Sequence, residues 1–448
     1  MSSDTPPDAP PDPGGPTEAD LTGGTHRRRA RPQPSRIGDR TISPATQMMG
    51  HGYDPMLSEG SLKPPVFLTS TYVFESAAAG KRHFEGVTGQ RPGGAEGLVY
   101  SRFNGPNQEI LEDRLGIWEG AEEALTFSSG MAAIATVLLA LVRPGDTIVH
   151  SAPLYAATET LIGKVLGRFG VHWLDFPAGA TRDEIEAVLT KAKGAGRVAL
   201  IYLESPANPT NALVDVEAVA AARDALFDGE SPPIVIDNTF LGPLWQQPLQ
   251  HGADIVLYSL TKYAGGHSDL VAGGAVGSKA AIDPVRAMRN TIGTILDPHP
   301  AWMLLRSLET LELRMTRAGE NAARVCAWLR GQPKVDHVGY LGFLEDGSRQ
   351  ADIFRRHCTG AGSTFSLYLK GGEAEAFRFL DALRIAKLAV SLGGTETLAS
   401  HPAAMTHLSV PAARKAALGI SDNLVRISIG VEDADDLIAD FEAALAAV

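Results

Sequence analysis

Between Ala124 and Leu260 one pair of patterns repeats, and it leaves few folds open. Apolar runs alternate with segments whose apolar residues recur at helical spacing. The runs are ALTFS (124–128), TIVHS (147–151), VHWLDF (171–176), RVALIYLES (197–205), PIVIDN (233–238) and IVLYSL (255–260). Between them lie MAAIATVLLALV from Met131, the stretch Ala152 to Leu166, RDEIEAVLTKA (182–192) and VEAVAAARDAL (216–226). Strands that alternate with helices form βαβ units. Continuous apolar runs are what strands buried on both faces require. The expected fold class is therefore α/β, a mostly parallel sheet with helices on both faces, with ligands at the carboxyl ends of its strands. The helix from Met131 is apolar on every side and is expected to be buried.

Polar residues gather at those carboxyl ends. IVLYS runs into Ser259, Thr261 and Lys262, then breaks at Gly265-Gly266. A lysine placed there is desolvated, which lowers its pKa and makes the amine a nucleophile toward aldehydes. The preceding strand ends in Asp237, and a buried carboxylate needs a cation. Pyridoxal phosphate (PLP) supplies a ring-nitrogen cation, and PLP enzymes pair an Asp there with a Schiff-base lysine. Ser259 and Thr261 offer hydroxyls suited to phosphate. Ser129-Gly130-Met131 opens a helix, whose free N–H groups and dipole favour an anion. A plain Ser N-cap would read the same way.

The motifs SSGMAA, ESPANP, DNTF, SLTKY, SLGGTETL, HPAAMTH and LVRISIGVED follow one another in this order along the chain. In that order they resemble the Cys/Met metabolism (transsulfuration) family of PLP enzymes, over about residues 50 to 448. The resemblance implies the aspartate aminotransferase type of fold and PLP as cofactor. It implies Lys262 as the cofactor lysine, Asp237 on the ring nitrogen and Tyr155 stacked on the ring. It also implies Gly130 and Met131 amides on the phosphate, with Ser259 and Thr261, and Asn208 near the phenolic oxygen. Tyr100 and Arg102 would reach the phosphate of a neighbouring subunit, and the assembly would be a homotetramer. Without the resemblance, Tyr155 reads equally as a half-buried core tyrosine and Arg102 as a surface arginine.

From about Pro298 the texture becomes α+β. AWMLLRSLETLELRMTRAGENAARVCAWLRG reads as one long helix kinked at Gly319, followed by STFSLYLK (363–370) and EAFRFLDAL (374–382). In LVRISIG, Val425, Ile427 and Ile429 point to one face and Arg426 and Ser428 to the other. An arginine inside an apolar strand needs an anion, either a substrate carboxylate or an internal salt bridge. The resemblance implies the carboxylate, held by Arg426 with Ser391. The expected organisation is a disordered tail (1–42), an arm contacting a neighbouring subunit (43–103), a PLP-binding domain (104–297) and a C-terminal α+β domain (298–448).

Within the family, ESPANP, Gly293 to His299 and Val390-Ser391-Leu392 look most like methionine γ-lyases. The expected reaction is loss of the γ-substituent of a sulfur amino acid, giving 2-oxobutanoate, ammonia and a thiol. Alternatives are γ-replacement, as in cystathionine γ-synthase or O-acylhomoserine sulfhydrylase, and cystathionine γ-lysis; a non-enzymatic module fits the intact site set poorly. The chain departs from the methionine γ-lyase pattern at Ala157, where a cysteine is usual, and at Arg289-Asn290. It departs from the family at Gly105-Pro106-Asn107, and its Gly-rich loop at 86–98 is longer than usual. Val390 stands where cystathionine enzymes commonly carry Glu.

A net charge of −12 argues against nucleic acid as partner. The only cysteines, Cys326 and Cys358, are too few for a disulfide framework and suit a reducing cytoplasm. His401 and His407 lack the spacing of a zinc pair, so no metal is expected. No apolar stretch is long enough to span a membrane.

Overall fold

The computed structural model describes residues 36–87, 90, 97–229, 231–408 and 410–448. These fall into two compact units, one of residues 69–104 and one comprising 36–68 and 105–448. Most of the tail and of the Gly-rich loop lies outside the described residues. The last residues of the expected tail are ordered as a small antiparallel ladder, β1 (Arg36–Ile37) with β2 (Arg40–Thr41). Residues 86 and 87, expected in a loop, end a helix at Ala77–Val87.

The larger sheet holds β3 (Glu123–Phe127), β4 (Thr147–Ala152), β5 (His172–Pro177), β6 (Val198–Glu204), β7 (Ile234–Asp237), β8 (Ile255–Ser259) and β9 (Gly273–Gly277). Its order is β3-β9-β8-β7-β6-β4-β5. The run from β5 through β4, β6 and β7 to β8 is parallel, and β9 is inserted antiparallel between β8 and β3. Side-chain alternation sends neighbouring residues to opposite faces. Leu200, Tyr202, Val235, Ile255 and Leu257 pack with the helix Gly130–Leu141 and with Ile282 and Val285. Ile201, Leu203, Ile234, Ile236 and Val256 pack on the other face with Ile185, Leu189, Val216 and Val219. Helices thus cover both faces, as the apolar runs require.

The second sheet has β10 (Val335–Gly339), β11 (Thr364–Leu369), β12 (Lys387–Leu388), β13 (Leu398–Ser400) and β14 (Leu424–Ser428), in the order β10-β11-β14-β13-β12. Phe365, Leu367, Val425 and Ile427 form its core against Val325, Leu329, Phe379 and Phe441.

Four local expectations need correction. The long helix from 301 is two, Pro298–Leu308 and Leu311–Leu329, so the break falls at Glu309-Thr310 and not at Gly319. The segment from Ala152 is three short pieces, an α-turn (Ala156–Thr160), a π-helical turn (Leu161–Val165) and a 3-10 turn (Leu166–Phe169). The helix from Gly130 is not buried all round, since Leu139 is exposed. Ile110, Leu111, Leu115 and Trp118 recur near helical spacing and lead one to expect an amphipathic helix, but the helix Pro106–Glu119 buries most of its polar residues too: Glu112 pairs with Arg289 at 2.6 Å. That pair places the Arg289 departure in the core.

Candidate active site

The carboxyl ends of β6, β7 and β8 open into a cavity of about 380 Å³. Ser129, Gly130, Met131, Tyr155, Glu204 and Asn208 line it, with Asp237, Ser259, Thr261, Lys262, Ser391 and Arg426. So do Thr239, Phe240, Val271, Val390 and Thr406.

One end of the cavity is the start of the helix Gly130–Leu141. Ser129 caps it, its Oγ accepting from Ala132 N at 2.9 Å. Gly130 and Met131 N–H have no acceptor within the helix, which leaves them for an anion. A Cβ on Gly130 would lie 2.9 Å from Ser259 Cβ and 3.1 Å from its Cα. Only glycine lets the helix end come this close to the end of β8. Of the two hydroxyls suited to phosphate, that of Thr261 is committed elsewhere: it donates to Ala272 O at 3.2 Å and accepts from Ala272 N at 3.1 Å.

Asp237 and Glu204 face each other in register across β7 and β6. Burial raises the pKa of the Asp237 carboxyl, against hydrogen bonds from Thr239. Burial, then the nearby Asp237, pushes Glu204 up to about 8. Thr239 N donates to Asp237 Oδ1 at 2.9 Å. A buried carboxyl with so little compensation suits a ligand that brings its own positive charge. Glu204 has another task. It accepts from Tyr155 N at 2.6 Å and from Asn208 N at 3.0 Å, fixing the two segments that carry these side chains.

The Lys262 amine donates to Ser391 Oγ at 2.9 Å. Burial, then the Arg426 charge, lowers its pKa to about 8, with Asp237 opposing. Arg426 on β14 is buried; it donates to Ser391 O at 2.6 Å and to Asn208 Oδ1 at 3.2 Å. Its Nε is buried without a partner. It makes no ion pair among the described residues, so the internal salt bridge is not found and a cavity anion remains. Ser391 holds a φ of 97° in the left-handed region, a strained state for serine. That backbone turns its hydroxyl to Lys262 and its carbonyl to Arg426.

The structure thus brings together Lys262, Tyr155, Asp237, Asn208, Gly130, Met131, Ser259, Thr261, Ser391 and Arg426. Tyr100 and Arg102 lie in the separate unit, where the Arg102 guanidinium sits 4.6 Å above the Phe103 ring. Reading the sequence did not single out Glu204, Thr239, Val271 or Thr406 for the site. Glu204 ends an apolar strand as Asp237 does, a signal that could have found it. Positive amide groups at one end and a buried carboxyl beside a neutralisable lysine at the other fit a ligand with phosphate, ring cation and aldehyde.

Comparison with known proteins agrees. Residues 45–446 match the family model described as Cys/Met metabolism PLP-dependent enzyme. The chain is 40% identical to an L-methionine gamma-lyase of Pseudomonas putida, over 90% of this chain and 97% of that one. It is 38% identical to a cystathionine gamma-synthase of Mycobacterium tuberculosis, over 92% and 99%. A solved cystathionine gamma synthase from Xanthomonas oryzae pv. oryzae superposes with a TM-score of 0.81 at 33% identity, covering 91% of this chain and 98% of that one. This chain therefore belongs to the Cys/Met metabolism family of PLP-dependent enzymes.

Proposed function

We propose that this enzyme removes the γ-substituent of methionine or homocysteine, so that amino acid and water become 2-oxobutanoate, ammonia and a thiol. The observation that carries the reading is the cavity wall at Val390. Val390 and Val271 both line the cavity with more than half their surface open. The lining carboxyls, Glu204 and Asp237, are both buried at the strand ends. The distal ammonium of cystathionine would find no partner in this wall, whereas a methylthio group fits an apolar one. The similarity to the Pseudomonas putida lyase supports the same reading. The similarity to the Mycobacterium tuberculosis synthase favours γ-replacement as the second reading.

Roles follow from geometry and chemistry. Arg426 presents its unpaired Nε to the substrate α-carboxylate, with Ser391 beside it. The PLP ring, when bound, accepts the electron pair left on Cα. Asp237 would keep the ring nitrogen protonated, and the helix end at Gly130 and Met131, with the Ser259 hydroxyl, would hold the phosphate. Asn208, tethered through Glu204 and Arg426, borders the ring. Lys262 would hold the cofactor's aldehyde carbon and, once its amine is free, would move protons between Cα and Cβ; that amine lies 2.9 Å from Ser391 Oγ. Tyr155 stacks on the ring and gives the departing sulfur its proton. Tyr100 and Arg102 complete the phosphate site of a neighbouring copy in a homotetramer, carried on an N-terminal arm.

The test is direct. Borohydride reduction should fix the cofactor on Lys262, and methionine should yield equal amounts of 2-oxobutanoate, ammonia and methanethiol. A pyridoxyl group on another lysine, or no keto acid from methionine, would refute the proposal.

A further inference from the structure

Away from the cavity, three elements converge on a cluster that the reaction does not use. Glu217 lies in the first turn of the helix Val216–Leu226, which Asp215 caps. His251 ends the 3-10 helix Pro248–His251, and His357 ends the helix Arg349–His357. His251 Nδ1 lies 2.9 Å from Glu217 Oε1. His357 Nε2 lies 3.9 Å from Glu217 Oε2 and 3.4 Å from Asp215 Oδ1. One ligand atom from each of Glu217, His251 and His357 falls within 4.8 Å of the others.

We infer that Glu217, His251 and His357, with Asp215 beside them, form a site for one divalent transition-metal ion of the zinc class. Tetrahedral ligands about 2.1 Å from zinc stand about 3.4 Å apart. The separations above straddle that value, so small side-chain adjustments would close the shell. Two imidazoles with carboxylates favour zinc, cobalt or nickel over magnesium and calcium.

His357 Nε2 also lies 3.1 Å from Arg356 Nη1, and its Nδ1 is buried with no hydrogen-bond partner among the described residues. In the absence of an ion, the Arg356 guanidinium fills the gap. It bonds Asp215 Oδ2 at 2.7 Å and also Glu217. Arg356 is partly exposed and can leave for solvent, so guanidinium and metal compete for one set of ligands.

That competition gives the test. Untagged holoenzyme is freed of metal with a chelator, then titrated with Zn²⁺ by calorimetry and with Co²⁺ by visible absorption. One ion per chain is expected, with the cobalt bands of a nitrogen–oxygen tetrahedral site. His251→Ala and Glu217→Gln should each weaken binding at least tenfold. Arg356→Ala should tighten it, because the competing cation is gone. No saturable binding in either wild type or Arg356→Ala overturns the inference, as does binding that His251→Ala and Glu217→Gln leave unchanged.

Discussion

Replacing Gly130 with alanine should separate the requirement for close approach from ordinary helix propensity. The added Cβ would lie 2.9 Å from Ser259 Cβ and 3.1 Å from Ser259 Cα and Oγ. Carbon atoms prefer about 3.5–4.0 Å, so the helix end must retreat by roughly 0.6–1 Å. Cα is backbone of β8 and cannot swing aside. Overpacking of this kind costs about 1–3 kcal/mol. Alanine recovers about 1 kcal/mol of helix propensity, leaving the apoenzyme destabilised by up to about 2 kcal/mol. The cofactor should feel the change more. A retreating helix end loosens hydrogen bonds to a charged group, each contributing about 1.5–3 kcal/mol, so PLP affinity should fall about tenfold to a hundredfold. Fluorescence titration of the apoenzyme measures the affinity, and urea unfolding measures the stability. Gly194→Ala is the control: a Cβ there meets nothing within 4 Å, and it should leave affinity unchanged. Wild-type affinity in Gly130→Ala would refute the assignment of this helix end to the phosphate.

The other predictions concern the cation pair and the assembly. With its pKa lowered to about 8 from 10.5, Lys262 is neutral in roughly one apoenzyme molecule in ten at pH 7. The rate of cofactor capture, followed by absorbance, should rise to about pH 8 and then level; a rate still climbing at pH 10 would contradict this. Arg426→Met should move that inflection up and Asp237→Asn down, because Arg426 disfavours the charged amine and Asp237 favours it. A depressed lysine pKa also means that apoenzyme stability rises with pH above about 8, as the folded state sheds a buried charge that the unfolded chain still carries. Arg426→Lys loses the planar fork and should raise KM for the amino acid about tenfold or more with a smaller change in kcat, measured by initial rates. Mixing Arg102→Ala with Lys262→Ala enzyme, with subunit exchange, should recover activity if Arg102 serves a neighbouring copy; no recovery despite proven exchange would count against it.

Much of the larger sheet was legible because apolar runs at βαβ spacing admit few alternatives, and β3 to β8 begin and end within one residue of the expected limits. β9 was not legible. Its sequence is Gly273-Gly274-Ala275-Val276-Gly277, poor in strand formers. The glycines answer contacts that no local pattern shows: a Cβ on Gly273 would meet Ser129 O at 2.1 Å, and one on Gly277 would meet Asp254 O at 2.5 Å. The break at Glu309-Thr310 escaped for the opposite reason, since neither residue is a helix breaker. At the site, Lys262, Asp237 and Arg426 announced themselves as charges on or after apolar strands. Glu204 did so too, yet its use depends on Tyr155 N and Asn208 N, whose positions only the fold supplies. The commitment of the Thr261 hydroxyl to Ala272 is likewise a matter of loop closure.

The account turns on what the cavity wall at Val390 does to the substrate tail. The decisive measurement is kcat/KM for methionine and for cystathionine on the same enzyme, with O-acetylhomoserine plus and minus a thiol alongside. Methionine should be preferred, because the wall at Val390 and Val271 offers the distal ammonium of cystathionine no charged partner while its apolar side chains suit a methylthio group, and keto acid should form without added thiol. A preference for cystathionine of tenfold or more, about 1.4 kcal/mol, would contradict the account.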